Sequence, residues 1–211
     1  MKGLLIIGGE GPDAGLFEEC RQGASIVVAA DSGLESALAL GVEPDLVVGD
    51  MDSLRDRTLL SRFPPERRMI YSVDKDETDT EIGLGVLQQK GCDEVIIAGG
   101  GGGRIDHLLG ILMLFERANP PRRWITEKED IRLVEGVEEL IGCRGSIVSL
   151  FPLGESATDM ASEGLKWPLQ GLTFRRGRGG ISNVVTADAA WIRIGRGRLL
   201  LVRSESEAGA C

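Results

Sequence analysis

Short, nearly continuous apolar runs recur through the first half of the chain, separated by stretches in which apolar residues return every three or four positions. Runs of this kind bounded by turn formers read as strands buried on both faces, and the periodic stretches between them read as helices. Strands are expected over Gly3–Ile7, Ser25–Ala30, Asp45–Val48, Arg68–Val73 and Glu94–Ala98. Ser32 with Glu35, and Thr78 with Glu81, have the spacing of a capping box, while Gly41 and Gly91 stand where helices would stop. The run HLLGILMLFER from His107 is apolar nearly all round and is expected to lie buried against the sheet. This alternation predicts a mostly parallel, Rossmann-like α/β domain.

Beyond Pro120 to Arg122 the segments become short, glycine-punctuated and alternating, as in WIRIGRGRLLLV from Trp191, where Gly195 to Gly197 read as a hairpin turn. An all-β piece is expected there. The resulting division is 1–121 for the α/β domain and 122–204 for the β domain, with residues 205–211 as a disordered tail. Arg175, Arg176, Arg178, Arg193, Arg196, Arg198 and Arg203 crowd the second domain, as a solvated basic face or an anion-facing one.

With 211 residues, 42% of them hydrophobic and 4% aromatic, the chain can bury a sizeable core in one large domain or two small ones. A net charge of -9 argues against a broad attraction to nucleic acid or an anionic membrane, so an anionic ligand would need local help. Cys20, Cys92, Cys143 and Cys211 form no CxxC pair and suggest neither a zinc site nor a disulfide framework. The apolar run at the N-terminus is too short for a signal peptide, and no segment approaches the length of a membrane span, so a cytoplasmic protein is expected.

Ligands of open parallel sheets bind beyond the carboxyl ends of the strands. In this chain those positions are acidic: Asp31 follows the second expected strand, Asp50 and Asp52 the third, and Asp74, Asp76 and Asp79 the fourth. Asp50 and Asp52, two positions apart, would point to one side of an extended chain. Close carboxylates repel unless a cation or proton relieves them, and oxygen ligands without paired histidines or thiols suit Mg²⁺ bridging to a phosphate. Each aspartate alone also fits a helix cap or a loop acid, and Asp79 suits the first turn of its helix. After the fifth strand, Gly99 to Gly103 could bring backbone N–H groups against a phosphate, followed by Arg104, Asp106 and the single histidine, His107. Arg104 suits a phosphate clamp, and Asp106 could orient a water, the arginine or a reacting hydroxyl. A competing reading takes GEGPDA, Gly9 to Ala14, as the dinucleotide fingerprint with Asp31 on a ribose, which would imply a NAD-dependent enzyme.

Taken in order, ADSGLESALALGVEPDLVVGDMDSL, DKDETDTEIGL, GGGGGRIDHLLGIL, GLKWPLQGLTF and ISN resemble the thiamine pyrophosphokinase family, from about Gly8 to Val202. The resemblance implies a homodimer with its active site at the subunit interface, and a C-terminal β-sandwich that binds thiamine and dimerises. It implies transfer of a pyrophosphoryl group from ATP to the thiamine hydroxyl, giving thiamine diphosphate and AMP. On the matched motifs, Asp50, Asp52 and Asp79 would hold Mg²⁺, with Arg104 and Asp106 beside the phosphates and the attacking alcohol. Asp31, Gly33, Thr78, Gly101, Gly102, Gly103 and His107 would line the nucleotide, and Trp167, Ser182 and Asn183 the thiamine. Gly110, Val184 and Val185 depart from the family pattern and touch the acceptor side. A pyrophosphokinase for another heterocyclic alcohol, such as a hydroxymethyl pterin, and a non-catalytic nucleotide- or metal-binding module stand as alternatives.

Overall fold

The computed structural model describes residues 1–204; the expected disordered tail, 205–211, lies outside the described residues. Two compact units divide between Glu127 and Lys128. The change of texture near Pro120 precedes this division, because Arg123–Ile125 still forms a strand paired in parallel with Glu94–Ala98.

The first unit runs β1 (Lys2–Ile6), α1 (Ala14–Arg21), β2 (Ile26–Ala30), α2 (Gly33–Ala39), β3 (Leu46–Gly49), β4 (Arg68–Ile70), α3 (Asp79–Gln89), β5 (Glu94–Ala98), α4 (Ile105–Leu114) and β6 (Arg123–Ile125). Its strands lie in the order β6-β5-β1-β2-β3-β4, every pairing along that path being parallel. The order reverses at β1, so the loops after β1, β2, β3 and β5 emerge at the edge where such sheets bind ligands. Leu4, Ile6, Phe17, Cys20, Ala37, Ile96, Ala98 and Ile125 form one buried cluster, and Ala29, Leu34, Val47, Met51, Leu54 and Phe63 another.

Three local expectations for this unit need correction. β4 stops at Ile70, well short of Val73, because as an end strand it has only β3 to pair with. The Ser32 capping box does not form: Ser32 makes no side-chain cap bond, and Glu35 instead accepts from the amides of Arg55 (2.8 Å) and Asp56 (3.1 Å), tying down the loop after β3. Thr78 and Glu81 do make both bonds of their box. Helix α4 is not buried all round, since Ile105, Leu109 and Met113, one turn apart, are exposed while Ile111 and Leu114 are buried. A continuous apolar run hides which stripe of the helix faces the core. Among the described residues no helix is long and apolar enough to cross a membrane.

The second unit is all β: β7 (Glu129–Val134), β8 (Val137–Ile141), β9 (Ile147–Thr158), β10 (Ala161–Glu163), β11 (Phe174–Arg175), β12 (Gly180–Val184), β13 (Ala189–Arg193) and β14 (Arg196–Ser204). β14 pairs antiparallel with β7 and β9, and β9 also takes β11 and β12; β13 pairs with β10 and β8 in a separate three-stranded sheet. Val148, Leu150, Phe174, Ile192, Leu199 and Leu201 share its buried core. The stretch Gly195 to Gly197 is not a hairpin turn, because β13 and β14 belong to different sheets. Glycine serves the crossover instead: a Cβ at Gly197 would lie 2.2 Å from the Ser156 carbonyl oxygen, and its φ is +86°. Arg203 leaves the basic face and is buried, donating to Asp130 (3.1 Å) and to the Cys143 sulfur (3.2 Å).

Candidate active site

Two residues in the left-handed backbone region shape the acidic edge of the first unit. Asp31, directly after β2, has φ +48°, and its amide still donates to Val48 O (2.9 Å), the last bond of the β2–β3 ladder before the chain turns. Met51, between the paired aspartates, has φ +62° and a buried side chain. Chain that turns here cannot be the extended segment the i, i+2 spacing suggested; the turn folds Asp52 back so that its amide donates to Asp50 Oδ1 (3.1 Å). Non-glycine residues in this region are strained by about 1–3 kcal/mol each, a strain that clusters at functional sites.

The turn brings carboxylate oxygens of Asp31, Asp50 and Asp52 within 4.8 Å of one another. Asp31 is only 8% exposed and its Oδ1 has no hydrogen-bond partner. A buried carboxylate oxygen left unpaired is expensive, and a hard cation is the occupant that such a set of oxygens would welcome. Asp79, first residue of α3, stands beside this group, its Oδ1 2.9 Å from where a Cβ on Gly49 would lie. Lys75 joins the two parts, its ammonium 2.5 Å from Asp50 Oδ2 and 3.2 Å from Asp79 Oδ1. The Lys75 hydrogen bond holds the Asp50 carboxyl below its usual range. Burial, with added repulsion from Asp50 and Asp31, pushes the Asp79 carboxyl up despite Lys75.

The glycine loop behaves differently from a bare amide cradle. The N–H groups of Gly99, Gly100 and Gly101 donate to Ile125, Gly8 and Glu10 carbonyls, and Glu10 N returns a bond to Gly101 O. Their need for glycine is steric: Gly99 has φ +109°, and its Cβ would stand 2.3 Å from Ile7 O. The exposed part of the loop is therefore Gly102, Gly103 and the first turn of α4, with Arg104, Asp106 and His107 all exposed. Arg104 grips Asp106 through Nε (3.1 Å) and Nη2 (2.5 Å), and that pairing keeps the Asp106 carboxyl below the ordinary range. Thr78 is engaged in its capping box, and Gly33 lies buried at the start of α2.

The dinucleotide reading of GEGPDA fails on two contacts. Asp13 caps α1, accepting from the amides of Gly15 (2.6 Å) and Leu16 (3.0 Å), so the helix end that would receive a pyrophosphate already holds a carboxylate. Glu10, between the two glycines of the motif, is held to Gly101 by backbone bonds in both directions, which ties this stretch to the Gly99 to Gly101 loop.

In the second unit Asn183 is buried and its amide is engaged on both sides: Oδ1 accepts from Trp167 N (3.0 Å) and Val184 N (2.9 Å), and Nδ2 donates to Trp167 O (2.7 Å). It therefore braces the backbone of Trp167. Trp167 is 52% exposed, with the Lys166 ammonium 4.5 Å from its ring centroid. Ser182 is exposed in a bulge of β12 with φ +58°, its amide donating to Ser149 Oγ (3.1 Å).

Sequence reasoning missed Lys75, Glu35 and Met51. Lys75 had a signal, since it is the single base inside DKDETDTE; for Glu35 and Met51 no spacing betrays the role, which depends on the path of the loop after β3.

An α/β unit that gathers carboxylates and an arginine at one sheet edge, joined to a β unit with a braced, exposed tryptophan, fits an enzyme acting on a phosphorylated nucleotide. Family models for the thiamin pyrophosphokinase catalytic domain and the thiamin pyrophosphokinase vitamin B1 binding domain match residues 17–125 and 133–199. The chain belongs to the thiamine pyrophosphokinase family, enzymes that transfer the pyrophosphoryl group of ATP to thiamine. It is 27% identical over 185 residues to thiamine pyrophosphokinase of Bacillus subtilis, covering 84% of this chain and 86% of that one. The crystal structure of that B. subtilis protein aligns with a TM-score of 0.80 at 24% identity, over 98% of this chain and 100% of the other. Thiamin pyrophosphokinase from Candida albicans shares the fold at a TM-score of 0.75 and 16% identity, covering 97% and 89%.

Proposed function

We propose that this chain makes thiamine diphosphate and AMP from ATP and thiamine, with Asp31, Asp50 and Asp52 holding Mg²⁺ and Asp79 completing the acidic edge. The observation that carries the metal assignment is a buried carboxylate, Asp31, that keeps an unpartnered Oδ1 and has an oxygen within 4.8 Å of oxygens of both Asp50 and Asp52. When bound, the ion neutralises the triphosphate and lets it approach an otherwise repellent edge. The alcohol oxygen attacks the β-phosphorus, the bond from that phosphorus to the α,β-bridging oxygen breaks, AMP departs with the electron pair, and the alcohol proton passes to solvent or a nearby base. Positioning and charge neutralisation suffice for such a displacement, so no covalent protein intermediate is needed.

Arg104 is the phosphate clamp in this reading, and Asp106 sets its guanidinium plane. The pairing with Arg104 makes Asp106 a poor proton acceptor near neutral pH. Asp106→Asn should then lower turnover by about tenfold through loss of a charge-assisted pair, with the acidic limb of the pH–rate profile unmoved. A shifted acidic limb would make Asp106 the general base.

Trp167 is assigned to the acceptor, with Asn183 positioning it and Ser182 beside the same segment. Asn183→Ala removes the bonds on either side of the Trp167 peptide and should raise the thiamine KM about tenfold, given roughly 1–3 kcal/mol for buried polar groups left unpaired, while the ATP KM stays within twofold. An equal rise in both constants would assign Asn183 to general stability.

The domain assignment is a Rossmann-like nucleotide unit followed by a β-sandwich for thiamine and dimerisation, in a cytoplasmic homodimer whose active site lies at the subunit interface. The exposed stripe of Ile105, Leu109 and Met113 supports a protein contact there. Acceptor identity is tested by supplying Mg·ATP with thiamine or with a hydroxymethyl dihydropterin and measuring AMP. Release with thiamine alone is expected; release with the pterin alone would move the enzyme to the other heterocycle.

A further inference from the structure

Lys75 sits inside the acidic edge, with its side chain 15% exposed between Asp50, at 8%, and Asp79, at 22%. Its ammonium takes Asp50 Oδ2, an oxygen next to the group formed by Asp31, Asp50 and Asp52. A cation on a flexible stem, in a stretch without regular secondary structure, is well suited to being exchanged. It also leaves the edge incompletely neutralised: the lysine reaches Asp50 and Asp79, Asp31 and Asp52 stand beside Asp50, and Asp31 Oδ1 still lacks a partner. A divalent ion entering from water would meet both a blocked oxygen on Asp50 and a positive charge a few ångströms away. An ion arriving on a triphosphate would bring anionic oxygens to which the displaced ammonium can turn.

Building on the metal reading above, we infer that Lys75 is the resident counter-cation of the carboxylate seat. It keeps free divalent metal out of the nucleotide-free protein and gives up Asp50 when the metal arrives with the nucleotide. The metal therefore enters with ATP rather than ahead of it, and the same lysine then faces the bound phosphates. A lysine serving only as a permanent structural tie would give no such order of binding.

The test is a titration of nucleotide-free protein with Mn²⁺ alone, following the free ion by electron paramagnetic resonance. Lys75→Met should bind Mn²⁺ about tenfold or more tightly than the parent, since an adjacent like charge has been removed from a poorly solvated site. Lys75→Arg should stay within threefold of the parent. With Mn·ATP the order reverses, Lys75→Met binding severalfold more weakly because the phosphates have lost an ammonium. If Lys75→Met fails to fold, Lys75→Gln carries the same titrations. Mn²⁺ affinity in the neutral variant equal to or weaker than the parent's overturns the inference. Asp50→Asn with Asp52→Asn separates the two claims: loss of Mn·ATP binding there, with no gain in Lys75→Met, rejects the counter-cation alone. Mn·ATP binding intact in that double variant rejects the metal seat, and the counter-cation with it.

Discussion

Asp50→Asn combined with Asp52→Asn is expected to lower turnover by a factor of about 10³ or more, the scale on which charge stabilisation at a phosphoryl group acts, while the protein stays folded. Both substitutions keep side-chain shape, and an asparagine oxygen at position 50 can still accept the Asp52 amide that Asp50 Oδ1 accepts now. The lost charges are mutually repulsive ones beside Asp31, so their removal relieves the nucleotide-free edge. Lys75 retains Asp79 as an ionic partner. Product formation and a thermal melt on one preparation check both halves. A rate within tenfold of the parent would remove the acidic edge from the chemistry, and a collapsed melt would make the carboxylates structural.

Gly33→Ala should have the largest effect on stability. A Cβ at Gly33 would stand 2.1 Å from the Ile6 carbonyl oxygen and 2.7 Å from Ile7 Cα, so the start of α2 packs directly on backbone at the end of β1. Backbone in the middle of a parallel sheet cannot give way as a side-chain tip can, and overpacking of this kind costs about 3 kcal/mol or more. The melting temperature should fall by about 6–12 °C. Because α2 follows Asp31 directly, any protein that does fold should also bind Mg·ATP less well. Gly85→Ala is the contrasting case: it lies inside α3, its Cβ would meet nothing within 4 Å, and a gain of up to about 1 kcal/mol is expected. Equal melting temperatures for the two variants would contradict this packing account.

The core strands of the first unit were readable because a parallel sheet buries both faces, which leaves continuous apolar runs; β5 matches its expected bounds at Glu94–Ala98. The capping box at Thr78 was readable because both bonds are local in sequence. The failures involve distant partners. Glu35 lies three residues after Ser32 in a capping pattern, yet amides twenty residues away, at Arg55 and Asp56, claim its carboxylate. Helix α4 offered apolar residues on every side, so its sequence held no clue to the stripe left exposed. In the candidate site, the recurrence of aspartates after successive strands was visible, since topology alone brings those positions to one edge. Which oxygens meet was not, because that depends on the left-handed turns at Asp31 and Met51, and although aspartate enters that region more readily than methionine, no local pattern marks either turn. The bracing of Trp167 by Asn183 spans sixteen residues and follows from a bulge in β12 that no spacing rule foretells.

The central claim is that this edge positions ATP for attack at the β-phosphorus, and nucleotide identity after a single turnover tests it most directly. With excess enzyme, Mg·ATP and thiamine, AMP and thiamine diphosphate should appear in equal amounts, with no ADP. ADP formed together with thiamine monophosphate, or loss of ATP without a phosphorylated thiamine, would contradict the account.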